Sequence, residues 1–316
     1  MTPDKPTASS PPKLTSQDTD LLSACFEDWQ QVVARKSVSP PSPLAFRLFS
    51  LDPHSPTLIE DLTEIIESDP ILTARVLGIA NSAAFATPGK TLFNTQRAVI
   101  RLGTDLACEI SEAQMLGAWY RSPEGGIDDA ILRGLWQEYL MTGFCAREIA
   151  LALEDDDVDP MQVYAAGLLH DVGTLALCRA EPQAMARFIR AGYAAGTPLH
   201  ERFLAAHSRI GAALLQQWRA PNELVLVAQR HHLGLDPDEL ASTFVVTIAD
   251  HLHSAIFEVE GTTLKPAGDF APGCAEPDHE RIADALEALG LGDQLDDIVR
   301  RVAAASKRLE MIADTA

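Results

Sequence analysis

The chain has 316 residues, 47% of them hydrophobic, enough to bury one large core or two moderate ones. Its 45 acidic against 25 basic residues give a formal net charge of −20 at pH 7, which argues against nucleic acid as a direct partner, because contact with phosphate backbones needs Lys and Arg to displace counterions. No apolar run is long enough to cross a bilayer and the N-terminus lacks the basic-then-apolar order of a signal peptide, so no membrane partner is expected and the sequence reads as that of a cytoplasmic protein.

Residues 1–20, rich in Pro, Ser and Thr with almost no large apolar side chains, read as a disordered tail whose removal through Asp18 leaves stability unchanged. From Leu21 the spacing of Leu22, Cys25, Trp29, Val32 and Val33 is helical, and the prolines of Ser37 to Pro43 end that helix. Pro43 to Ala118 then reads as short helices separated by turn signals. Asp69-Pro70 is an N-cap followed by proline at the first helical position, Asn94-Thr95 opens another helix and Gly103 closes it. No strand alternation persists, so the fold class is all-α.

The segment Arg121 to Gly126 marks a boundary. It divides an N-terminal helical subdomain at 21–120 from a second helical subdomain at 127–260, with C-terminal helices at 278–316. On a wheel of the helix Asp128 to Leu153, Arg133, Gln137, Arg147 and Glu148 share one side. Ile131, Leu135, Thr142, Cys145 and Ile149 share the other, and Glu138 falls with them as an inward carboxylate.

Asp159-Pro160 caps the next helix, whose small-residue apolar run delivers His170 and Asp171 side by side. In Glu201 to Trp218, His207 shares a stripe with Phe203, Ile210 and Leu214. The helix starting at Pro221 ends in His231-His232, and a later one places Val246, Asp250, His253 and Phe257 on one face. Taken singly, His207 reads as a hydrogen-bonded core residue and Asp250 as a polar tie between helices. Jointly, Glu138, His170, Asp171, His207, His231, His232 and Asp250 are the donor types for zinc, iron, manganese or magnesium, arranged as helical bundles build metal sites from facing helices. The five cysteines, Cys25, Cys108, Cys145, Cys178 and Cys274, lack CxxC spacing and suit packed, reduced thiols. The two helices Arg281 to Leu289 and Leu295 to Ile312 read as a packed C-terminal cap, with a homodimer helix as the alternative.

ESDPILTARVLGIANSAAF at Glu67 to Phe85, AVIRLG at Ala98 to Gly103, LW at Leu135 and Trp136, and GLLHDVGTLAL at Gly167 to Leu177 carry a resemblance to a known family. HSRIGAALLQQWRAP at His207 to Pro221, HH at His231 and His232, and IADHL at Ile248 to Leu252 continue it in the same order. The chain resembles the HDOD family, the divergent output-domain branch of the HD superfamily of metal-dependent phosphohydrolases. The resemblance implies an HD-like helical bundle and a signalling or regulatory module that works through protein partners or a ligand, without an established activity. It matches His170 and Asp171 to the HD pair, His207, His231 or His232 to later ligands, and Asp250 to the final one. Glu138 stands where the superfamily has an early histidine. The cyclic-dinucleotide phosphodiesterases of the superfamily follow HD with x-Gly-Lys and carry Gly-Tyr-Pro after the paired histidines. This chain has Val172-Gly173-Thr174 and LGLDPDEL there. The expectation is therefore a non-catalytic module with a divalent metal as its candidate cofactor, and metal-dependent phosphohydrolysis is the alternative.

Overall fold

A computed structural model describes residues 14–86, 89–120, 126–153, 155, 158–232 and 241–252, the backbone of 253–259, and, toward the C-terminus, 284, 286–287, 289–294, 297–298 and 300–302. Among the described residues the protein is all-α, with fourteen α-helices and no strand. No described helix is long and apolar enough to cross a membrane.

The first helix, α1 (Ser16–Glu27), starts ahead of Leu21 and corrects the extent read for the tail. Its start is set by a capping box in which the Asp18 backbone N–H donates to Thr15 Oγ1 at 3.1 Å and the Thr15 N–H donates back to the Asp18 carboxylate at 3.1 Å. Asp18 is buried, and Arg187 donates to it through Nε at 2.9 Å and through Nη2. Periodicity had no large apolar residue to register here, whereas the cap and the ion pair are polar. Residues 1–13 of the tail lie outside the described set. After α1 the chain breaks at Asp28 and resumes as α2 (Trp29–Ala34).

The next five helices form a lobe of their own: α3 (Pro43–Phe49), α4 (Leu58–Glu67), α5 (Pro70–Ala80), α6 (Thr95–Leu102) and α7 (Thr104–Gly117). Polar caps set their ends. The Asp69 carboxylate accepts from the backbone N–H groups of Ile71 at 2.8 Å and Leu72 at 3.1 Å, Asn94 accepts from Arg97 N–H at 2.9 Å, and Gly103 takes φ of 84° after α6.

The second half contains α8 (Asp129–Leu153), α9 (Pro160–Leu169), α10 (Val172–Ala180), α11 (Pro182–Arg190), α12 (Pro198–Gln217), α13 (Asn222–Arg230) and α14 (Ala241–Val259). Here the expected division at residue 120 needs correcting, because α1 and α2 pack on α10, α11 and α12 rather than on the lobe. Phe26 of α1 meets Phe188 and Phe203, both at 5.8 Å between ring centres, and Arg179 donates to the Ser37 carbonyl at 2.6 Å. The apolar stripe of the first helix thus completes the core of the second half.

On the side of α8 that carries Arg147 and Glu148, Arg147 reaches two carboxylates of α7. Arg147 is 6% exposed and its guanidinium lies 3.1 Å from Asp105, 3.1 Å from Glu109 and 2.9 Å from Glu148. Removing that one cation would break its ion pairs to two buried carboxylates, which typically costs about 3 to 5 kcal/mol. The opposite face of α8 meets α9 at two glycines. A Cβ on Gly167 would stand 2.6 Å from Gly143 Cα, so the two backbones touch and the C-terminal end of α9 is held against the bundle.

Of the expected C-terminal helices only part is described. Leu286, Leu291, Ile298 and Val302 there are buried in the core, while 260–283 and 303–316 lie outside the described residues.

Candidate metal and ligand site

The helical run that opens at Pro160 breaks at the His170-Asp171 pair: α9 ends at Leu169, His170 caps it, and α10 begins at Val172. The break turns the Asp171 side chain toward α12 and α13. Gly173 makes that turn feasible, because a Cβ there would lie 2.0 Å from the His207 carbonyl oxygen. The first turn of α10 therefore rests directly on the backbone of α12, and Asp171 comes within reach of His207.

Four donors converge. Asp171 Oδ1 lies 3.0 Å from His207 Nε2 and 3.1 Å from His231 Nε2. His207 Nε2 lies 3.4 Å from His231 Nε2 and 3.0 Å from His232 Nε2. All four groups can place a ligand atom within 4.8 Å of one another. His207 and His231 are fully buried, while Asp171 and His232 keep some exposure.

The helices also set the tautomers. His207 Nδ1–H donates to the Phe203 carbonyl at 2.9 Å, and His231 Nδ1–H donates to the carbonyls of Val227 and Ala228, each at 3.1 Å. A neutral ring held this way turns the lone pair of Nε2 into the cluster. Burial, reinforced by the neighbouring imidazoles, holds His232 well below the usual imidazole range, and burial likewise lowers His231. Nε2 donors beside a carboxylate, two of them oriented by backbone carbonyls, are the donor set and outer support of a divalent metal site. The residues present fit a metal.

Three of the sequence-selected residues stand beside this cluster. His170 Nδ1–H donates to the Gly167 carbonyl at 2.7 Å, and its Nε2 lies 3.4 Å from Asp250 and 3.9 Å from Asp171. Burial opposes a charge on His170, but Asp171 and Asp250 outweigh it and raise its pKa to about 9. Burial also opposes the charge on Asp171, yet His207 and His170 hold that carboxyl well below the usual range. Glu138 is pushed up to about 8 by burial, then by Asp250 and Asp171. The structure thus brings Asp171, His207, His231 and His232 to one point, and sets His170, Asp250 and Glu138 in an adjoining charge group. His253 and Phe257 have no described side chain.

Two residues were not singled out for the site from sequence. Thr174, at the position where the phosphodiesterases carry lysine, is fully buried, and its hydroxyl donates to Asp171 Oδ2 at 3.4 Å. Gly173 permits the contact of α10 with α12. The only trace of either was the Val172-Gly173-Thr174 triplet itself.

An all-α bundle with a His/Asp donor cluster at a helix break defines an HD-like domain. The HDOD domain model matches residues 40–233, and the chain belongs to the HDOD family. It is 25% identical over 182 residues to an uncharacterized protein of Treponema pallidum, covering 55% of this chain and 33% of that one, so it spans about a third of the relative's length. Among solved structures, a signal transduction protein of Marinobacter aquaeolei, so named provisionally, is 21% identical with a TM-score of 0.61, over 94% of this chain and 69% of that one. An HDOD domain protein of unknown function from Geobacter sulfurreducens is 19% identical with a TM-score of 0.54, over 88% and 98%. A Shewanella amazonensis protein, provisionally named a metal-dependent phosphohydrolase, is 17% identical with a TM-score of 0.55, over 92% and 99%. At these identities the likeness is one of fold.

Proposed function

We propose that the protein is an HDOD signalling module that acts through a protein partner or a bound ligand, and that its His/Asp cluster is a binding centre rather than a site of turnover. The observation that carries this reading is Thr174. A lysine there would bring positive charge to a phosphate, whereas this residue is buried and spends its hydroxyl on Asp171. Glu138 in place of the early histidine adds a carboxyl to the adjoining group. The name of the Marinobacter protein and membership of the HDOD family support a signalling role.

In this reading Asp171, His207, His231 and His232 would hold a divalent cation. His170 would balance the charges of Asp171 and Asp250, and Thr174 would fix the second oxygen of Asp171. When bound, the cation would supply a fixed positive charge and Lewis acidity.

The same donor set favours metal-dependent phosphohydrolysis as a second reading, in which the Shewanella name finds its place. Elemental analysis of protein purified without chelator, together with turnover assays on cyclic dinucleotides and simple phosphoesters with added manganese or iron, separates the two. A stoichiometric transition metal without turnover supports the binding centre. Turnover of about one per second, the low end of ordinary enzyme rates, establishes the hydrolase.

A further inference from the structure

At the end of α9 opposite His170, a cleft of about 670 Å³ opens between the turn Ser50 to His54 and the junction of α8 with α9. Its volume lies in the range of small-molecule sites. Asp52, Asp155 and Asp159 line it. Asp52 and Asp159 each commit one oxygen to a backbone N–H, of His54 at 2.8 Å and of Met161 at 2.9 Å, which holds both carboxylates in place.

The cleft shares Leu51, Pro53 and Asp159 with a pit of about 20 Å³ that Glu112 of α7 lines. Glu112 is 1% exposed, and its Oε2 has no hydrogen-bond partner. The nearby Arg147 pairs with Asp105, Glu109 and Glu148 through its Nη atoms. Buried polar atoms without partners are rare and costly, so this oxygen calls for a ligand or a water.

The shape and charge select among cations. A pit of this volume takes one group the size of water, which an ammonium matches and a planar guanidinium exceeds. Among the described residues no second set of His, Cys, Asp or Glu donors converges as the His/Asp cluster does. The carboxylates are instead spread along the cleft, which suits positive charges spaced by alkyl segments.

We propose that this cleft binds a linear aliphatic polyamine, with one terminal ammonium against Glu112 and the other amines along Asp159, Asp52 and Asp155. In the free protein, burial and then the charges of Glu109 and Asp159 push the Glu112 carboxyl well above its usual range, against the opposing pull of Arg147. Cys108, also in the pit, is pushed up by burial and stays a thiol. Burial and these charges favour the protonated form of Glu112 before binding. When the ammonium arrives, the O–H bond of Glu112 breaks, its proton passes to the buffer, and the carboxylate accepts from the ammonium.

The test is calorimetry of spermidine binding to the full chain at pH 7, repeated in buffers of different ionisation heat. Glu112→Gln keeps the shape and neutrality of the protonated acid, and a double Asp52→Asn, Asp159→Asn variant keeps both turn acceptors. Expected are one site, close to one proton released per spermidine, a tenfold or greater loss of affinity with no proton release in Glu112→Gln, and a several-fold loss with proton release retained in the double variant. Absence of saturable binding up to about 1 mM, a threshold near −4 kcal/mol of binding free energy, overturns the proposal. So does equal affinity in Glu112→Gln, equal competition by magnesium, or tighter binding of a lysine-containing peptide than of spermidine.

Discussion

His207 and His231 face each other through ring nitrogens 3.4 Å apart, each with its Nδ1–H given to a backbone carbonyl of its own helix. Two lone pairs and the Asp171 carboxylate, 3.0 and 3.1 Å away, meet at one place. Three electron-rich atoms in a buried pocket repel unless a cation stands among them or the rings take up protons.

The first expectation follows from that arrangement. Added zinc or manganese raises the melting temperature of the wild type, by the equivalent of about 2.7 kcal/mol when the free metal is a hundredfold above its dissociation constant. His207→Ala removes the donor shared by Asp171, His231 and His232 and abolishes the shift. A shift of equal size in the variant places the metal elsewhere.

Glu138 belongs to the adjoining charge group with His170 and Asp250. With its carboxyl raised to about 8 by burial, Asp250 and Asp171, it is mainly protonated at pH 7, so Glu138→Gln retains stability or gains some. Glu138→His sets a further imidazole beside His170, whose own pKa is raised to about 9. It should destabilise by about 1 to 3 kcal/mol, the usual cost of a buried polar group without its partner. Urea melts of both variants, with and without zinc, check this. A histidine variant that gains micromolar metal affinity would make Glu138 a ligand position.

Much of this was legible in the residues, and the parts that were not share a cause. Helix starts at Pro70, Thr95 and Pro160 were readable because Asp69, Asn94 and Asp159 are side-chain caps that act locally. His207 was readable as buried because its helix carries a clean stripe. The start of α1 was misplaced because Asp18 is buried by a partner 169 positions away, Arg187, and a buried ion pair leaves no periodic signal. Arg147 and Glu148 likewise read as a polar face, because the carboxylates that pair with Arg147, Asp105 and Glu109, arrive on α7 from the other lobe. The choice of four donors from seven depends on the break at His170, which turns Asp171 alone into the cluster. No spacing rule contains that rotation.

Gly173 tests whether the break positions the site. An alanine Cβ there would meet the His207 carbonyl oxygen at 2.0 Å and the Gly211 nitrogen at 2.8 Å, and neither can yield without moving α10 off α12. Gly173→Ala should cost about 3 kcal/mol or more, the upper range for overpacking, and should lose metal-dependent stabilisation together with the native fold. Gly78→Ala, where nothing lies within 4 Å of the new Cβ, is the control and should be neutral or slightly stabilising, as alanine is the better helix former. Equal thermal stability of the two variants would remove Gly173 from the argument.

The last expectation concerns Asp18, and it reverses what the composition of the tail suggests. Hydrogen bonds from Arg187 and Thr15 hold its carboxyl well below the usual carboxylate range in the folded protein. A group whose folded pKa is depressed contributes stability above its unfolded pKa, near 3.9, and that contribution fades as pH falls below this value. Asp18→Asn retains an N3 acceptor for the Thr15 backbone N–H but loses the charge that draws Arg187. The variant should therefore be less stable than wild type at pH 7, by about 1.5 to 3 kcal/mol on the scale of hydrogen bonds to charged groups. The gap should start to narrow below about pH 4 and go on narrowing as pH falls toward the folded pKa. Deletion of residues 1–18 should lower the melting temperature as well, because it takes Thr15, the capping box and the Arg187 partner together, whereas deletion of residues 1–13 leaves all three in place. Thermal melts of the two truncations and the point variant, followed by circular dichroism at pH 7 and near pH 3, decide it. Equal melting temperatures for both truncations and the full chain would show that α1 docks through Leu22 and Phe26 alone.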